Sequence, residues 1–190
     1  SSAWRQTATK TIEGPVVFAV PHPGLIIAAP LSAASDLLIC ARAEMHAASV
    51  QICEAIFDTH GHPWLPPEGH PGAGPQTHAL AMLTGVVYAT QQEQLIEAWD
   101  AGDVPMRVPS VAVARGPAGS WTRCDWHPEF AALLPATDRV RVATDAGFVE
   151  VPGAELLGAI NATPAPGVHP ARFEIPPIPA VDVAEVLTNL

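Results

Sequence analysis

Residues 16–29 read VVFAVPHPGLIIAA, two short apolar runs separated by the sequence Pro-His-Pro-Gly. Pro-Gly suits the two central positions of a type II turn, because proline presets φ and glycine accepts a positive φ. Both runs contain β-branched residues and no charge, which is typical of strands buried on both faces. The stretch therefore predicts a pair of strands, or one strand broken by a proline bend.

Two helical patterns follow this stretch. From Ser35, or Ser32, to about Phe57, apolar residues recur at intervals of three and four and so share one helix face: Leu38, Ala41, Met45, Ala48, Ile52 and Ala55. A second pattern runs from about Thr77 to Ala101, and Gly102 fits the position just after a helix. The sequence thus predicts two long helices packed on the sheet.

From residue 104 onwards the pattern turns to β. Residues 111–115 predict a strand that prolines confine to a sheet edge or to an irregular start. Alternation between Arg139 and Val151, with a turn in the middle, predicts a hairpin. Short helices are expected at His127–Leu134 and Ala154–Ile160.

Both ends of the chain have the composition of arms. Residues 1–13 are polar, and residues 161–180 contain six prolines, which favours an extended, polyproline-like segment. A short amphipathic helix is expected from Ala180 to Leu190.

The prediction is an α+β fold: two long helices on a mixed or antiparallel sheet, with extended N-terminal and Pro-rich C-terminal arms. It places a single domain at residues 14–160, an arm at 1–13 and an arm at 161–190.

The composition and charge limit the classes of binding partner that can be expected. The chain has 190 residues, a net charge of −10 and a single lysine, Lys10. Nucleic-acid affinity rests mainly on lysine and arginine neutralising phosphates, and anionic lipid repels an acidic surface, so neither partner is expected. Charged residues make up only 15% of the chain, against about 25% in an average soluble domain. This scarcity favours a surface that is buried against other copies or other protein subunits, although a surface of alanine, proline, threonine and glycine explains it too.

The cysteines and the hydropathy of the chain indicate the cellular compartment to be expected. Cys40, Cys53 and Cys124 are odd in number, widely spaced and free of a CxxC motif, so no disulfide framework is expected. The uncharged residues 14–35 are broken by prolines and contain no unbroken apolar run of the roughly twenty residues that a membrane span needs. We therefore expect a cytoplasmic protein or a subunit of an assembled particle, and no transmembrane segment.

The candidate chemistry lies in a loop at residues 58–76 that is rich in proline, glycine and histidine. It begins with Asp58-Thr59-His60-Gly61-His62. Imidazole is a common metal ligand, and histidines two apart in an extended segment point the same way, so His60 and His62 can share one ion. Asp58, His70 or His78 would complete the ligand set. A histidine-rich solvent loop without a cofactor is the favoured interpretation of this segment; if a metal binds, zinc or another divalent transition metal is expected.

The D-x-H-x-H spacing of Asp58, His60 and His62 resembles the metal-binding entry motif of amidohydrolase and TatD-type barrels. In those barrels the two histidines bind a catalytic metal from the end of a strand. The resemblance covers five residues, and a helix rather than a strand is expected before them. It therefore implies a local metal site and not the barrel fold.

Other arrangements point less clearly to chemistry. Cys124 and His127 have the residue types of a nucleophile and its base, but a packed turn around Trp121 and Trp126 is favoured there. The chain contains no P-loop, no G-x-G-x-x-G and no G-x-S-x-G motif.

Three functions remain open at this point. The first is a structural or assembly subunit of a larger complex, such as a shell, a virion or a similar bacterial or phage particle. The second is a small metal-dependent hydrolase that uses Asp58, His60 and His62. The third is a small-molecule or peptide-binding module in which the 58–76 loop and Trp64 cover a pocket. Low charge, the expected arms and the lack of a coherent catalytic set favour the first.

Overall fold

The computed structural model describes residues 11–99, 106–117 and 119–190. The chain divides into two compact units, with the boundary between Leu83 and Thr84. The domain boundaries drawn from the sequence stay predictions. Most of the predicted N-terminal arm, residues 1–10, lies outside the described residues.

The first unit contains a three-stranded antiparallel sheet. Strands β1 (Val16–His22), β2 (Leu25–Pro30) and β3 (Cys53–Asp58) are arranged in the order β2-β1-β3. Val17 pairs with Ala29 of β2 and with Asp58 of β3. The central strand β1 is almost wholly buried. The strand pair predicted at residues 16–29 is therefore confirmed as a hairpin that turns at Pro23 and Gly24.

Helices of the first unit cover both faces of this sheet. Helix α1 (Ala34–Ala47) follows a short 3₁₀ turn and packs its buried face, Ala34, Leu37, Leu38 and Ala41, against Val17, Ala19 and Ile56. Helix α2 (Ala73–Trp99) places Ala79 against Cys53 and Ala55, which lie on the other face of β3. Residues up to Leu83 of α2 belong to this unit.

The second unit contains two further sheets. Strands β4 (Ala112–Gly116), β5 (Gly119–Trp126), β7 (Arg139–Thr144) and β8 (Gly147–Pro152) form a mixed sheet in the order β4-β5-β7-β8. Strands β5 and β7 are parallel, and the chain between them holds β6 (Ala132–Pro135). Strand β6 pairs with β10 (Arg172–Ile175), which also pairs with the short β9 (Thr163–Pro164) in an antiparallel sheet.

A continuous apolar core fills the second unit. It combines residues of both sheets with two helices, α3 (Gly153–Ala159) and α4 (Ala180–Thr188). Its largest fully buried members include Trp126, Leu134 and Leu156. The hairpin predicted at Arg139–Val151, the edge strand at 111–115 and the two helices near 154–160 and 180–190 are all present.

The prediction of two long helices is wrong for the first of them. Helix α1 ends at Ala47, Ala48 is extended, and the chain enters β3 at Cys53. The periodicity of Ile52 and Ala55 is genuine, but pairing of β3 with the buried strand β1 overrides the helical preference of this segment. The second long helix is present as α2, which starts four residues earlier than predicted, and its predicted end at Ala101 and Gly102 lies outside the described residues.

Two predictions in the second unit are also corrected. The segment His127–Leu134 is not a helix: Leu133 donates its N–H to Arg107 O at 2.8 Å, and β6 pairs with β10. The Pro-rich residues 161–180 do not form an extended arm, because β9 and β10 lie within a sheet and Arg172 is fully buried.

The described residues thus form a mixed α+β fold with four α-helices and three sheets. None of the helices in the described ranges is both long enough and apolar enough to span a membrane.

Candidate metal centre

The loop that carries the candidate ligands is closed by its own backbone. Strand β3 ends at Asp58, whose N–H donates to His62 O at 2.8 Å, while Gly61 N–H donates to Asp58 O at 3.0 Å. Gly61 has a φ of +89°, in the left-handed region that glycine adopts without steric cost. The five residues Asp58 to His62 therefore form a tight turn at the end of a buried strand.

The Asp58 carboxylate has two separate roles in this turn. Its Oδ1 accepts hydrogen bonds from the backbone N–H groups of His60 and His62, at 2.8 and 2.9 Å. Its Oδ2 lies 3.3 Å from Nδ1 of His62 and 3.8 Å from Nδ1 of His60. One oxygen thus fixes the turn, and the other faces both imidazoles.

The three side chains form a compact donor set. One ligand atom each from Asp58, His60 and His62 lies within 4.8 Å of the other two, and the two rings stack with centroids 6.0 Å apart. A tetrahedral ion with ligand bonds of about 2.0–2.2 Å separates its ligand atoms by roughly 3.3–3.6 Å. The two carboxylate–imidazole distances are close to this range, so the donor set fits a transition-metal ion after small rotations of exposed side chains.

The electrostatics favour the charged form of Asp58. Desolvation raises the pKa of this carboxyl. Hydrogen bonds from the backbone N–H groups of His62 and His60, together with the His62 ring, lower the pKa by more than desolvation raises it. The net pKa lies below the usual value for an aspartate. The carboxylate is therefore ionised over the whole range in which imidazoles lose their protons and become ligands.

The buried side chain of Gln76 supports the turn through hydrogen bonds, and the sequence analysis did not identify this residue. Gln76 Oε1 accepts the N–H of Ile56, and its Nε2 donates to the carbonyls of Ile56 and Trp64 at 2.8 and 3.0 Å. Trp64 N–H in turn donates to Ile56 O. Gln76 thus joins both ends of the segment that contains Asp58, His60 and His62, through backbone partners that no side-chain pattern reveals.

His70 and His78 are not part of the donor set. The described residues place together only Asp58, His60 and His62 as a group of three candidate ligands. His70 Nδ1 accepts the N–H of Gly72 at 3.0 Å, and its ring meets the ring of Trp64 edge-on. His70 and Trp64 line a separate cavity of about 660 Å³ together with Pro15, Pro30 and Leu31. His78 is half-buried on α2.

In the structure, Cys124 and His127 each contact another residue and do not form a nucleophile–base pair. Cys124 is buried, and its Sγ lies 3.5 Å from Oγ1 of Thr137. Burial raises the pKa of this thiol to about 11, so it is not an activated nucleophile at neutral pH. Nδ1 of His127 faces Glu129 Oε1 at 3.6 Å instead.

Comparison with known proteins adds no assignment. No protein-family model matches the chain, and no curated protein or solved structure is significantly similar to it.

Proposed function

We propose that the protein is a metal-dependent hydrolase whose metal ligands are Asp58 Oδ2 and one ring nitrogen each of His60 and His62. The observation that carries the proposal is the preorganised turn, in which the backbone amides of His60 and His62 hold Asp58 and leave its second oxygen facing both rings. Preorganisation matters because the ligands need little reordering when the ion binds.

The exposure of the ligands suits catalysis better than a purely structural site. The side chains of His60 and His62 are 79% and 78% exposed. Structural zinc sites are closed by four protein ligands, whereas catalytic sites keep a position for water or substrate. A bound divalent metal supplies a water whose pKa is lowered towards about 7 and polarises a substrate carbonyl or phosphoryl oxygen. The chain's own part is to supply three ligands, fix their positions and leave one side open to solvent.

Metal titration tests the proposal directly. Chelator-stripped protein is titrated with Co²⁺, followed by its visible absorption, and then with Zn²⁺ in competition, while native mass spectrometry counts the ions. We expect one ion per chain, and loss of that ion in both His60→Ala and His62→Ala. His46→Ala removes an exposed histidine on α1 and is the matched control. Full metal content in both loop variants would contradict the proposal.

Hydrolysis is then measured on the loaded protein. The zinc form should hydrolyse p-nitrophenyl acetate or bis(p-nitrophenyl) phosphate above the rate of free zinc, and both histidine variants should lose this activity. A site that binds zinc stoichiometrically but accelerates neither reaction would refute the hydrolase and leave a metal-binding protein.

A second candidate function is an assembly subunit that contacts further protein subunits. It is favoured by the free edge of β2, which pairs only with β1 in the described sheet and leaves Ile26 44% exposed. Unpaired edge strands with apolar side chains present N–H and C=O groups to another chain. Light scattering of the intact protein tests this: we expect an oligomer that Ile26→Lys weakens, and a monomer at micromolar concentration would contradict it.

A further inference from the structure

A second cavity lies in the other compact unit and takes no part in the metal centre. It has a volume of about 770 Å³ and lies against the β7–β8 hairpin and helix α4. Apolar side chains supply most of its lining, among them Pro128, Ala143, Phe148, Ile178 and Val183. Small-molecule sites in proteins are clefts of about 300–1,000 Å³ with largely apolar walls and a few polar groups. This cavity meets both conditions.

Phe148 is the aromatic group of this cavity and is unusually exposed for its type, at 46%. Its ring is held by two neighbours rather than by a packed core. The His127 ring meets it edge-on with centroids 5.7 Å apart, and the Arg141 guanidinium carbon lies 4.7 Å from its centre. Arg141 is itself bound by both carboxylate oxygens of Asp125. Phe148 is therefore positioned in the wall of the cavity while nearly half of its surface stays accessible.

The charged groups that line the cavity are of one sign. Glu129 and Asp145 are the two carboxylates in its wall, and neither lysine nor arginine is among the described lining residues. His127 lies 3.6 Å from Glu129 and lines the same cavity, and the Glu129 side chain stays 58% exposed. Thr144 contributes a hydroxyl that already donates to Gly147 O. An apolar cavity with negative charge attracts a cation with an apolar body and repels an anion.

We propose that this cavity binds a small organic cation in which an ammonium group is attached to an aromatic body. The apolar part contacts Phe148, Ile178 and Val183, and the ammonium group is held by the carboxylates of Glu129 and Asp145. The proposal is independent of the metal centre, because none of these residues belongs to the first compact unit.

Three matched fluorinated probes test the proposal on the intact protein. The amine is 2-(4-fluorophenyl)ethylamine, the neutral analogue is 2-(4-fluorophenyl)ethanol and the acid is 3-(4-fluorophenyl)propionate. Binding is followed by ¹⁹F NMR line broadening at pH 7. We expect saturable broadening for the amine, weaker broadening for the alcohol and none for the acid, and the amine should bind more weakly at high salt.

Site variants locate the binding. Glu129→Gln and Asp145→Asn should each weaken amine binding by about two- to fivefold, the range of partly exposed ion pairs, and should leave alcohol binding unchanged. Glu185→Gln removes an exposed carboxylate of α4 that does not line the cavity and should leave both probes unchanged. Phe148→Ala should weaken amine and alcohol alike. Phe148→Ala also removes a ring of the β7–β8 hairpin. The two carboxylate variants alter only exposed groups, and they therefore decide the outcome.

Three results would overturn the proposal: no saturable broadening by the amine at several millimolar, equal binding of the amine and the acid, or equal weakening by Glu185→Gln and the two cavity variants. The last result would assign the binding to the net negative charge of the protein rather than to this cavity.

Discussion

Arg172 Nε donates to Gln91 Oε1 at 2.6 Å, and both side chains are buried. The remaining guanidinium donors contact the carbonyls of Pro109, Leu133 and Tyr88 at 3.0 to 3.3 Å. None of these four acceptors is a carboxylate. Burial lowers the pKa of Arg172, as expected for a cation removed from water without an anion beside it. Strand β10 is therefore joined to helix α2 by one arginine whose fork satisfies four neutral acceptors.

Replacing this arginine with lysine should destabilise the protein strongly. Arg172→Lys retains the charge but replaces a planar fork with a single ammonium group, which leaves several buried acceptors without a donor. We expect a loss of about 3 kcal/mol in the free energy of unfolding, measured with urea. Arg139→Lys, at an exposed position of β7, is the control and should change stability by less than about 0.5 kcal/mol. Equal stability of the two variants would show that the fork of Arg172 is dispensable.

Local signals explain which parts of the fold the sequence predicted. The hairpin at 16–29 depends on a turn and two neighbouring runs, and helix α2 depends on a long periodic stretch, so both were predicted correctly. Residues 53–58 carry a helical period but become β3, because the vacant edge of β1 pairs with them. Arg172 lies in a Pro-rich segment, and its partner Gln91 is 81 residues away, so composition alone suggested an arm.

In the candidate site, too, the residues close together in the sequence were predicted and those that depend on distant contacts were not. Asp58, His60 and His62 lie within five residues, so spacing alone was enough to group them, and the structure brings their ligand atoms together. His70 and His78 are farther along the chain, and their positions depend on the path of the loop and on helix α2. Gln76 supports the turn through backbone groups 12 and 20 residues away, a relationship that side-chain spacing does not encode.

Asp58→Asn should separate the two roles of this side chain. The amide oxygen still accepts the backbone N–H groups of His60 and His62, so the turn should persist, whereas the anionic ligand is lost. We expect unchanged circular dichroism and at least about tenfold weaker Co²⁺ binding, because a carboxylate ligand is replaced by a neutral amide. Asp58→Ala removes both roles and should also loosen the turn, as seen in faster amide exchange of His62. Wild-type metal affinity in Asp58→Asn would exclude Asp58 as a ligand.

Alkaline pH should destabilise the protein through Cys124. Its thiol has a folded pKa of about 11, against an ordinary value of 9.0. The unfolded state therefore loses this proton first, and the free energy of unfolding falls as the pH rises from about 9 to 11, by up to about 1.4 kcal/mol per pH unit. Cys124→Ala should have a shallower slope over this range. Since burial also raises the pKa of Tyr88, the difference between the two slopes, rather than either slope alone, reports on Cys124. Parallel slopes would contradict the assignment.

Two glycines of helix α3 should respond in opposite ways to alanine. A Cβ at Gly153 would lie 2.0 Å from the carbonyl oxygen of Thr137, a backbone atom that cannot move aside without disturbing the start of β7. We expect Gly153→Ala to cost about 2 kcal/mol or more in urea unfolding. A Cβ at Gly158 meets nothing within 4 Å, so Gly158→Ala should stabilise the same helix by about 0.5–1 kcal/mol. The pair controls for helix propensity, since both changes add the same methyl group to one helix. If Gly153→Ala were as stable as Gly158→Ala, the close approach of α3 to Thr137 would not exist in solution.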